Sequence, residues 1–403
     1  MHTPSFLTTT ALLLAALGCR DDDESPMEPA PVLPQATATA TTVVEYWQVS
    51  AGGAHTCGVT TDSRTFCWGN NWAGQLGGGS SGSSELIPTL ITGGLQFRQV
   101  SAGSSHTCGV TPSNEAYCWG ANESGQLGDG TTTNRATPTA ISGARQFRQV
   151  EAGSRHTCGV TTDNLAFCWG DNEYGQLGDG TTTSRLVPRA VAGARRFRQV
   201  VAGAHFWSHT CGVTTEDRAF CWGSNNYGQL GDSTEVASRL KPTRVAGGLR
   251  VRQIDAGGLH TCAVTTSYRA FCWGNGGAGA IGNGKRYLSF WPRAVAGGLY
   301  FNRVSLGETH SCGVTTSNRA YCWGVNAYGQ LGDGTAPYSK PRPVAVAGGL
   351  YFKQLSGGSA HTCGKTPAGK AYCWGANSDG RVGDGTWSQI APRLTPVPVS
   401  DPL

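Results

Sequence analysis

The stretch GGAHTCGVTTDSRTFCWGNNWAGQLG, residues 52–77, contains the pattern that decides the fold, because related copies recur along the 403-residue chain. The first cysteine of each copy stands at position 57, 108, 158, 211, 262, 312 or 363, so the copies follow one another every 50 to 53 residues. A fixed period of this length is typical of solenoids, propellers and arrays. We therefore expect seven copies that form one closed or stacked object rather than several separate domains.

Each copy is predicted to contain four short strands. Runs rich in Val, Phe, Tyr, Thr and Cys are separated by turns rich in Gly, Asn, Asp and Ser, which is the pattern of short β-strands. No stretch beyond the N-terminus shows an apolar stripe at helical spacing. The fold class predicted is all-β: a seven-bladed β-propeller of four-stranded antiparallel blades, whose strand faces are buried between neighbouring blades.

The His-Thr, Trp-Gly and Gly-Gln-Leu-Gly motifs stand at fixed offsets and resemble the regulator-of-chromosome-condensation repeat. The resemblance covers roughly Tyr46 to Pro398 and implies a seven-bladed propeller. It does not fix a function, since one fold hosts unrelated functions. Similar proteins include a nucleotide exchange factor for a small nuclear GTPase, a plant ultraviolet receptor and a secreted inhibitor of β-lactamases. The receptor resemblance does not extend to its GWRHT repeats, because the nearest stretch here is GSRHT with Ser154 in the tryptophan position.

Fourteen of the fifteen cysteines form seven pairs with the spacing C-x9-C. A hairpin centred on Asp62 places Cys57 opposite Cys67, with Cα atoms about 4.5 Å apart, which a disulfide can span. We therefore predict one hairpin disulfide per blade, each contributing about 2–3 kcal/mol. The alternatives are buried free thiols in a reducing cell and zinc, although this spacing lacks the close ligand pairs of zinc sites. The pairs are Cys57 and Cys67, Cys108 and Cys118, Cys158 and Cys168, Cys211 and Cys221, Cys262 and Cys272, Cys312 and Cys322, and Cys363 and Cys373.

The first nineteen residues, MHTPSFLTTTALLLAALGC, resemble an export signal. An apolar stretch from Ala11 to Leu17 is followed by small residues, as in signal peptides, and disulfides need an oxidising compartment. AALGC is similar to the lipobox of bacterial lipoproteins, and Cys19 is the one cysteine left without a partner. We expect an exported protein of the cell envelope that is lipidated at Cys19. Ordinary secretion and a leader without a targeting role are the alternatives.

Composition divides the chain into three predicted regions: a signal peptide at 1–19, an acidic tether rich in Pro, Ala and Thr at 20–45, and the propeller at 46–403. Residues 1–45 contain one arginine and six carboxylates, so a total net charge of +5 leaves about +10 on the propeller. Basic residues are concentrated in the segments that enter the first strands, which favours an acidic partner. Nucleic acid is not expected, because the protein is predicted to be exported and lacks a base-reading motif. These residues are Arg98, Arg145, Arg148, Arg195, Arg196, Arg198, Arg250 and Arg252.

The repeated polar and aromatic residues are predicted to be structural, because a residue present in every blade is best explained by blade packing or a backbone hydrogen bond. They are His55, His106, His156, His209, His260, His310 and His361, and Trp68, Trp119, Trp169, Trp222, Trp273, Trp323 and Trp374. The aspartates of the Gly-Asp-Gly-Thr motifs, Asp129, Asp179, Asp333 and Asp384, fit turn chemistry better than a calcium loop. No catalytic constellation stands out. We expect a monomeric non-enzyme with no cofactor and no metal.

The stretch GAHFWSHTC, residues 203–211, departs from the repeat by three extra residues. We assign the off-pattern aromatic residues to turns after a first strand or loops after a third strand, which open on the same face of a propeller, with Trp207 the most prominent. The predicted partner-binding residues are Trp72, His205, Phe206, Trp207, Phe290, Trp291 and Trp387. The alternative is that these rings pack against their own loops.

Three functions are compatible with these features. The favoured one is a non-enzymatic, extracytoplasmic propeller that binds a protein partner through the aromatic face, because tryptophan is prominent in interface hot spots. A carbohydrate-binding or cell-wall-binding module, with tryptophans stacking on sugar rings, is the second. The family resemblance implies a third, a guanine-nucleotide exchange factor-like regulator of a small GTPase. Contact with a membrane is expected only through the lipid anchor.

Overall fold

The structure is a computed structural model that describes residues 44–205 and 207–402. Residues 1–43, which include Cys19 and nearly all of the predicted tether, lie outside the described residues, as do Phe206 and Leu403. The predictions made for the N-terminal region therefore stay predictions.

The chain forms seven four-stranded sheets, which we call blades 1 to 7; burial alternates along most first strands and is nearly complete in the second and third strands. Blades 1 to 4 contain β1 (Tyr46–Ala51), β2 (His55–Thr60), β3 (Thr65–Gly69) and β4 (Glu85–Leu90); β5 (Gln99–Ala102), β6 (His106–Val110), β7 (Ala116–Gly120) and β8 (Arg135–Ala140); β9 (Phe147–Ala152), β10 (His156–Thr161), β11 (Ala166–Gly170) and β12 (Arg185–Ala190); β13 (Phe197–Ala202), β14 (His209–Thr214), β15 (Ala219–Ser224) and β16 (Ser238–Arg244).

Blades 5 to 7 follow the same order after a short 3₁₀ turn at Ala246–Gly248. They contain β17 (Val251–Ala256), β18 (His260–Thr265), β19 (Ala270–Gly274) and β20 (Ser289–Ala294); β21 (Phe301–Leu306), β22 (His310–Thr315), β23 (Ala320–Val325) and β24 (Ser339–Ala345); β25 (Gln354–Gly357), β26 (His361–Lys365), β27 (Ala371–Asn377) and β28 (Ser388–Pro398).

Every blade pairs its four strands antiparallel in chain order. The first strands of neighbouring blades contact one another, and β1 contacts β25, so the ring closes between blades 1 and 7. The prediction of a seven-bladed β-propeller is confirmed. We call the face formed by the turns after first strands and the loops after third strands the upper face. The lower face is formed by the turns after second strands and the segments that join blades.

The predicted hairpin disulfides are present in all seven blades. Cys57 pairs directly with Cys67 across the β2–β3 hairpin, and the two Cα atoms are 4.1 Å apart. The other six pairs repeat this register with Cα separations of 4.0 to 4.1 Å. All fourteen sulfurs belong to residues that are fully buried, because each bridge lies in the apolar layer between two blades.

The core consists of seven apolar layers, one at each contact between blades. At the contact that closes the ring, Tyr46, Val49 and Trp68 of blade 1 pack against Cys363 and Cys373 of blade 7. The repeated tryptophans are fully buried in these layers. Most of them also donate an indole N–H to the upper loop of the preceding blade, as Trp273 Nε1 does to the carbonyl of Gln229 at 2.9 Å. Their predicted structural role is confirmed.

The seven repeated histidines form a closed ring of side-chain hydrogen bonds. His209 Nε2 lies 2.7 Å from Thr261 Oγ1 of the next blade, and His361 closes the circle on Thr56 at 2.9 Å. Because the Thr261 hydroxyl donates its one proton to the carbonyl of Gln229 at 2.8 Å, it accepts a hydrogen bond from the histidine. The proton of the neutral imidazole is therefore on Nε2. Burial lowers the pKa of His209 to about 3, so this structural ring is uncharged at neutral pH.

Candidate functional site

The upper face combines both kinds of connection that sequence analysis assigned to it. In blade 4, the side-chain amide of Gln229, from the loop after the third strand, donates to the carbonyl of Trp207, from the turn after the first strand, at 3.4 Å. This contact confirms that the two kinds of connection lie on the same face. The described part of the lengthened turn, Gly203–His205 and Trp207–Ser208, is called the blade-4 turn below.

The blade-4 turn contacts three other blades around the upper mouth of the central channel. The N–H of Ala204 donates to the carbonyl of Gly257 in blade 5 at 3.4 Å, and the carbonyl of Ala204 accepts from Ser104 Oγ in blade 2 at 3.4 Å. His205 Nε2 lies 3.9 Å from a carboxylate oxygen of Glu308 in blade 6. The lengthened turn thus lies against the channel mouth and contacts blades 2, 5 and 6, rather than the neighbouring blade alone.

Trp207 contacts its own blade, and its side chain also interacts with Tyr174 of blade 3. Its indole ring stacks on Tyr227 with 5.6 Å between ring centroids, and it lies 5.8 Å from the imidazole ring of His205. The N–H of Trp207 donates to Nδ1 of the same histidine at 3.2 Å. The side chain remains 38% exposed. The prediction that Trp207 would be the most prominent of the four tryptophans is wrong, because the stacking on Tyr227 covers much of the ring; Trp72, at 72%, is far more exposed.

Two of the predicted site residues are not in a loop. Phe290 and Trp291 belong to β20, the outer strand of blade 5, so their assignment to a loop is wrong. Phe290 packs over Gly228 of blade 4, where a Cβ atom would lie only 2.9 Å from the phenylalanine Cα. Leu240 occupies the same position one blade earlier, over Gly175. Phe290 is therefore a blade-packing residue, and Trp291 lies on the outer rim of the disc.

Trp72 and Trp387 lie in upper loops, as predicted, after β3 and immediately before β28. Trp387 is 59% exposed. These two residues belong to the adjacent blades 1 and 7, whereas the blade-4 turn lies in another part of the ring. Within the described residues, the only ring contact of the off-pattern tryptophans with one another or with His205 is the one between His205 and Trp207. Trp72 and Trp387 therefore lie apart from the described part of the blade-4 turn, while Phe206 lies outside the described residues.

The central channel below the blade-4 turn is polar and encloses about 310 Å³. Glutamines of the first strands form hydrogen bonds with the backbone of the next blade. Gln48 Nε2 donates to the carbonyl of Val100 at 2.9 Å, and Gln48 Oε1 accepts from the N–H of Val100 at 3.0 Å. Two carboxylates, Glu151 and Asp255, line this cavity. Burial raises the pKa of Asp255 to about 7, to which the carboxylate of Glu151 contributes. Sequence analysis missed both residues, although each replaces the serine found at this position in most blades.

The Gly-Asp-Gly-Thr aspartates make hydrogen bonds within their own loops. Asp129 accepts from the hydroxyl and N–H of Thr131 and from Arg135 Nε at 3.0 Å. Burial alone would raise the pKa of Asp129, but these hydrogen bonds hold it below its usual value. The arrangement supports the interpretation as turn chemistry. Residues 44–205 and 207–402 contain no group of three or more side chains of the types that bind metal ions.

The comparisons with known proteins identify the class. The profile of the RCC1-like domain matches residues 14–303, and the regulator of chromosome condensation (RCC1) repeat matches 301–330 and 352–381. The protein belongs to the RCC1-like family.

Two sequence relatives illustrate the range of this family. The ultraviolet-B receptor UVR8 of Arabidopsis thaliana is 31% identical over 345 residues, which are 84% of this chain and 66% of the receptor. The E3 ubiquitin-protein ligase HERC2 of Homo sapiens is 33% identical over 265 residues, which are 63% of this chain but 5% of the ligase. The alignment therefore spans only a small part of HERC2.

Solved structures share the architecture at low sequence identity. Prp20p of Saccharomyces cerevisiae, described with its binding to Gsp1p and histones, has a TM-score of 0.73 and 21% identity, with 89% of this chain and 88% of that chain covered. Human WBSCR16 has a TM-score of 0.71 and 21% identity, with 80% and 88% covered. At this identity, the similarity establishes the fold alone.

Proposed function

We propose that this protein is a non-enzymatic propeller that binds a protein partner through its upper face, outside the cytoplasm. The observation that carries the proposal is the blade-4 turn, which departs in length from the six other copies and holds a stacked Trp207–Tyr227 pair beside the channel mouth. A partly exposed aromatic ring held by stacking loses little conformational freedom on binding, which suits a hot-spot residue. Trp72 and Trp387 provide further exposed rings on this face.

Disulfide bridging supports the extracytoplasmic part of the proposal. Bridged cysteines persist in oxidising compartments and are rare in the cytosol, and the register brings all seven pairs within bonding distance. The sequence before Val44 adds the signal-peptide pattern and Cys19. We propose that Cys19 carries the lipid anchor. Changing Cys19→Ser should release the protein from the membrane fraction, whereas a wild-type protein that is already free of membranes would restrict the proposal to secretion.

The binding experiment compares Trp207→Ala with Trp291→Ala, which removes an exposed tryptophan from the rim as a matched control. Each variant is used to capture proteins from envelope extract, and a protein retained by the wild type is then purified for affinity measurement. We expect Trp207→Ala to weaken binding by about 2 kcal/mol or more, the range of an interface hot spot, and Trp291→Ala to bind as the wild type does. Equal binding by both variants would contradict the proposed use of the blade-4 turn.

Tyr227→Ala adds an independent test, because it removes the ring on which Trp207 stacks without altering the blade-4 turn. If preorganisation of Trp207 matters, affinity should fall although Trp207 is still present. The fold should be nearly unaffected, because substitutions of surface residues usually change stability by within about 0.5 kcal/mol. Circular dichroism and the urea midpoint of each variant provide the folding control.

A further inference from the structure

The lower face contains a sector, from the end of the last strand of blade 4 through blade 7, that has nine cations and no carboxylate. It comprises residues 244–253, 265–270, 294–303, 315–320, 345–354 and 365–371, and we call it the basic sector. Its cations are Arg244, Arg250, Arg252, Arg269, Arg303, Arg319, Lys353, Lys365 and Lys370. Four acidic residues border it: Glu45 lies beside Gly369, and Asp401 lies near Tyr46. In the lower turn of blade 4, the backbone carbonyls of Glu216 and Asp217 accept hydrogen bonds from Arg250 Nη1 and from the N–H of Val251, both at 2.9 Å. The excess positive charge of the propeller is therefore unevenly distributed.

None of the nine cations forms a salt bridge within the part of the chain that the structure describes. Burial and the neighbouring guanidinium of Arg252 lower the pKa of Arg303. Burial, followed by Arg303 and Lys353, likewise lowers the pKa of Lys365. These cations thus repel one another, and Nη1 of Arg252 is buried without a hydrogen-bond partner. A surface of this kind is stabilised by an anionic ligand.

Exposed aromatic rings alternate with these cations. The Arg252 guanidinium carbon lies 4.5 Å from the ring centroid of Tyr268, and Lys365 Nζ lies 5.1 Å from the ring of Trp47. Arg269 and Arg319 stand over Tyr300 and Tyr351 in the same way, at 5.2 and 5.0 Å. The four rings are between 40% and 62% exposed, so each carries a cation and still presents apolar surface to solvent.

The polypeptide enters the first blade on this same face. The N–H of Tyr46 donates to the carbonyl of Gly369, in the lower turn of blade 7, at 2.7 Å. The first described residues of the chain therefore lie on the same face as the basic sector.

We propose that the basic sector docks on an anionic lipid surface. Lys and Arg near such a surface each strengthen binding about fivefold, and Tyr and Trp are the residues enriched where lipid headgroups meet water. A sector that spans three of seven blades presents many weak contacts side by side, which fits a planar array of headgroups better than one acidic peptide segment. Docking would leave the upper face directed away from the lipid.

The test uses the full-length Cys19→Ser protein, so that no lipid anchor contributes to binding. Co-sedimentation with vesicles of phosphatidylglycerol is compared with co-sedimentation with vesicles of phosphatidylcholine, over a range of salt concentrations. We expect binding only to the anionic vesicles, weakened by salt because exposed charges are screened. The double variant Arg250→Gln/Lys353→Gln should bind about 30-fold more weakly. Lys285→Gln/Arg286→Gln removes the same charge from the upper face and should bind as the parent does.

A second measurement reports which face touches the lipid. Brominated phosphatidylglycerol quenches tryptophan fluorescence on contact, and Trp47→Phe should abolish the quenching, whereas Trp72→Phe, on the upper face, should not. Equal binding by the two double variants would overturn the proposal, as would failure to bind phosphatidylglycerol. Binding to soluble poly-glutamate without binding to vesicles would assign the sector to an acidic peptide and would likewise overturn it. None of these outcomes depends on the partner proposed for the upper face.

Discussion

Two threonines of the ring of histidine–threonine hydrogen bonds differ in whether the carbonyl that each one contacts has a second donor. This difference allows the contribution of the ring to stability to be tested. Thr261 and Thr107 each accept a hydrogen bond from a histidine, His209 and His55 respectively, and each donates to a loop carbonyl. The carbonyl of Gln229, which Thr261 contacts, also accepts from the indole of Trp273. The carbonyl of Gln75, which Thr107 contacts, has no such second donor, because Nε1 of Trp119 lacks a partner.

Replacing each threonine with valine keeps the shape of the side chain and removes the hydroxyl. Thr261→Val leaves one buried group unpaired, the Nε2–H of His209, because Trp273 still satisfies the carbonyl of Gln229. Thr107→Val leaves two groups unpaired, the Nε2–H of His55 and the carbonyl of Gln75. A buried polar group without a partner costs about 1–3 kcal/mol, so we expect losses of about 1–3 kcal/mol for Thr261→Val and about 2–6 kcal/mol for Thr107→Val.

The assay is urea unfolding followed by tryptophan fluorescence, with the disulfides intact. The comparison requires equal m-values, since a change in m would indicate that the unfolding transition itself had changed. If both variants lose the same stability, the unpaired indole of Trp119 has taken over the carbonyl of Gln75 and the hydrogen-bond count is wrong. If neither variant loses stability, the ring of histidines does not stabilise the closed propeller.

Three further predictions concern the whole ring. Stability should fall as pH decreases below about 6.5, because the unfolded chain then binds protons that the buried histidines exclude, their pKa values being lowered by burial. Each histidine contributes a slope of up to about 1.4 kcal/mol per pH unit; urea midpoints measured as the pH is lowered check this, and a flat profile would contradict the neutral ring. Non-reducing mass spectrometry should recover all seven C-x9-C pairs, and free thiols at most of these positions would refute both the bridges and the oxidising compartment. Gly307→Ala should strongly destabilise the fold, because its Cβ atom would lie 2.3 Å from the carbonyl oxygen of Gly358, whereas Gly78→Ala, with nothing within 4 Å, should be nearly neutral; thermal unfolding of the pair tests this.

The repeat was sufficient to predict the blades, the disulfide register and the structural histidines, because each depends on local spacing. Cys57 faces Cys67 in any hairpin centred on Asp62, whatever surrounds it. The assignment of Phe290 failed for a reason that was also visible in the repeat. Every fourth strand contains a proline two residues after a packing position, as in Leu240-Lys-Pro, and Phe290-Trp-Pro fits that frame. Alignment on the proline would have placed Phe290 in the strand.

Other features depend on closure of the ring and had no sequence signal of their own. The contacts of the blade-4 turn with Ser104 and Glu308 join residues about 100 positions apart in the chain. The basic sector was predicted only in part, because the arginines before the first strands were recognised but Tyr268, Tyr300 and Tyr351 were not. Nothing in the sequence distinguishes these tyrosines, and their contacts with cations are seen only once the chain is folded.

The position of the insertion follows from the way the upper turns join. Neighbouring turns are linked by backbone hydrogen bonds, such as Gly53 N–H to the carbonyl of Gly103 at 2.9 Å, and the longest link, 3.4 Å, is the one from Ala204 to Gly257. At other junctions a serine hydroxyl accepts a hydrogen bond from an N–H of the next blade, as Ser50 does from Ala102 at 3.0 Å. At the junction between blades 4 and 5, Val201 stands in place of this serine. The lengthened turn therefore lies at the junction where the backbone link is longest and the bridging serine is absent.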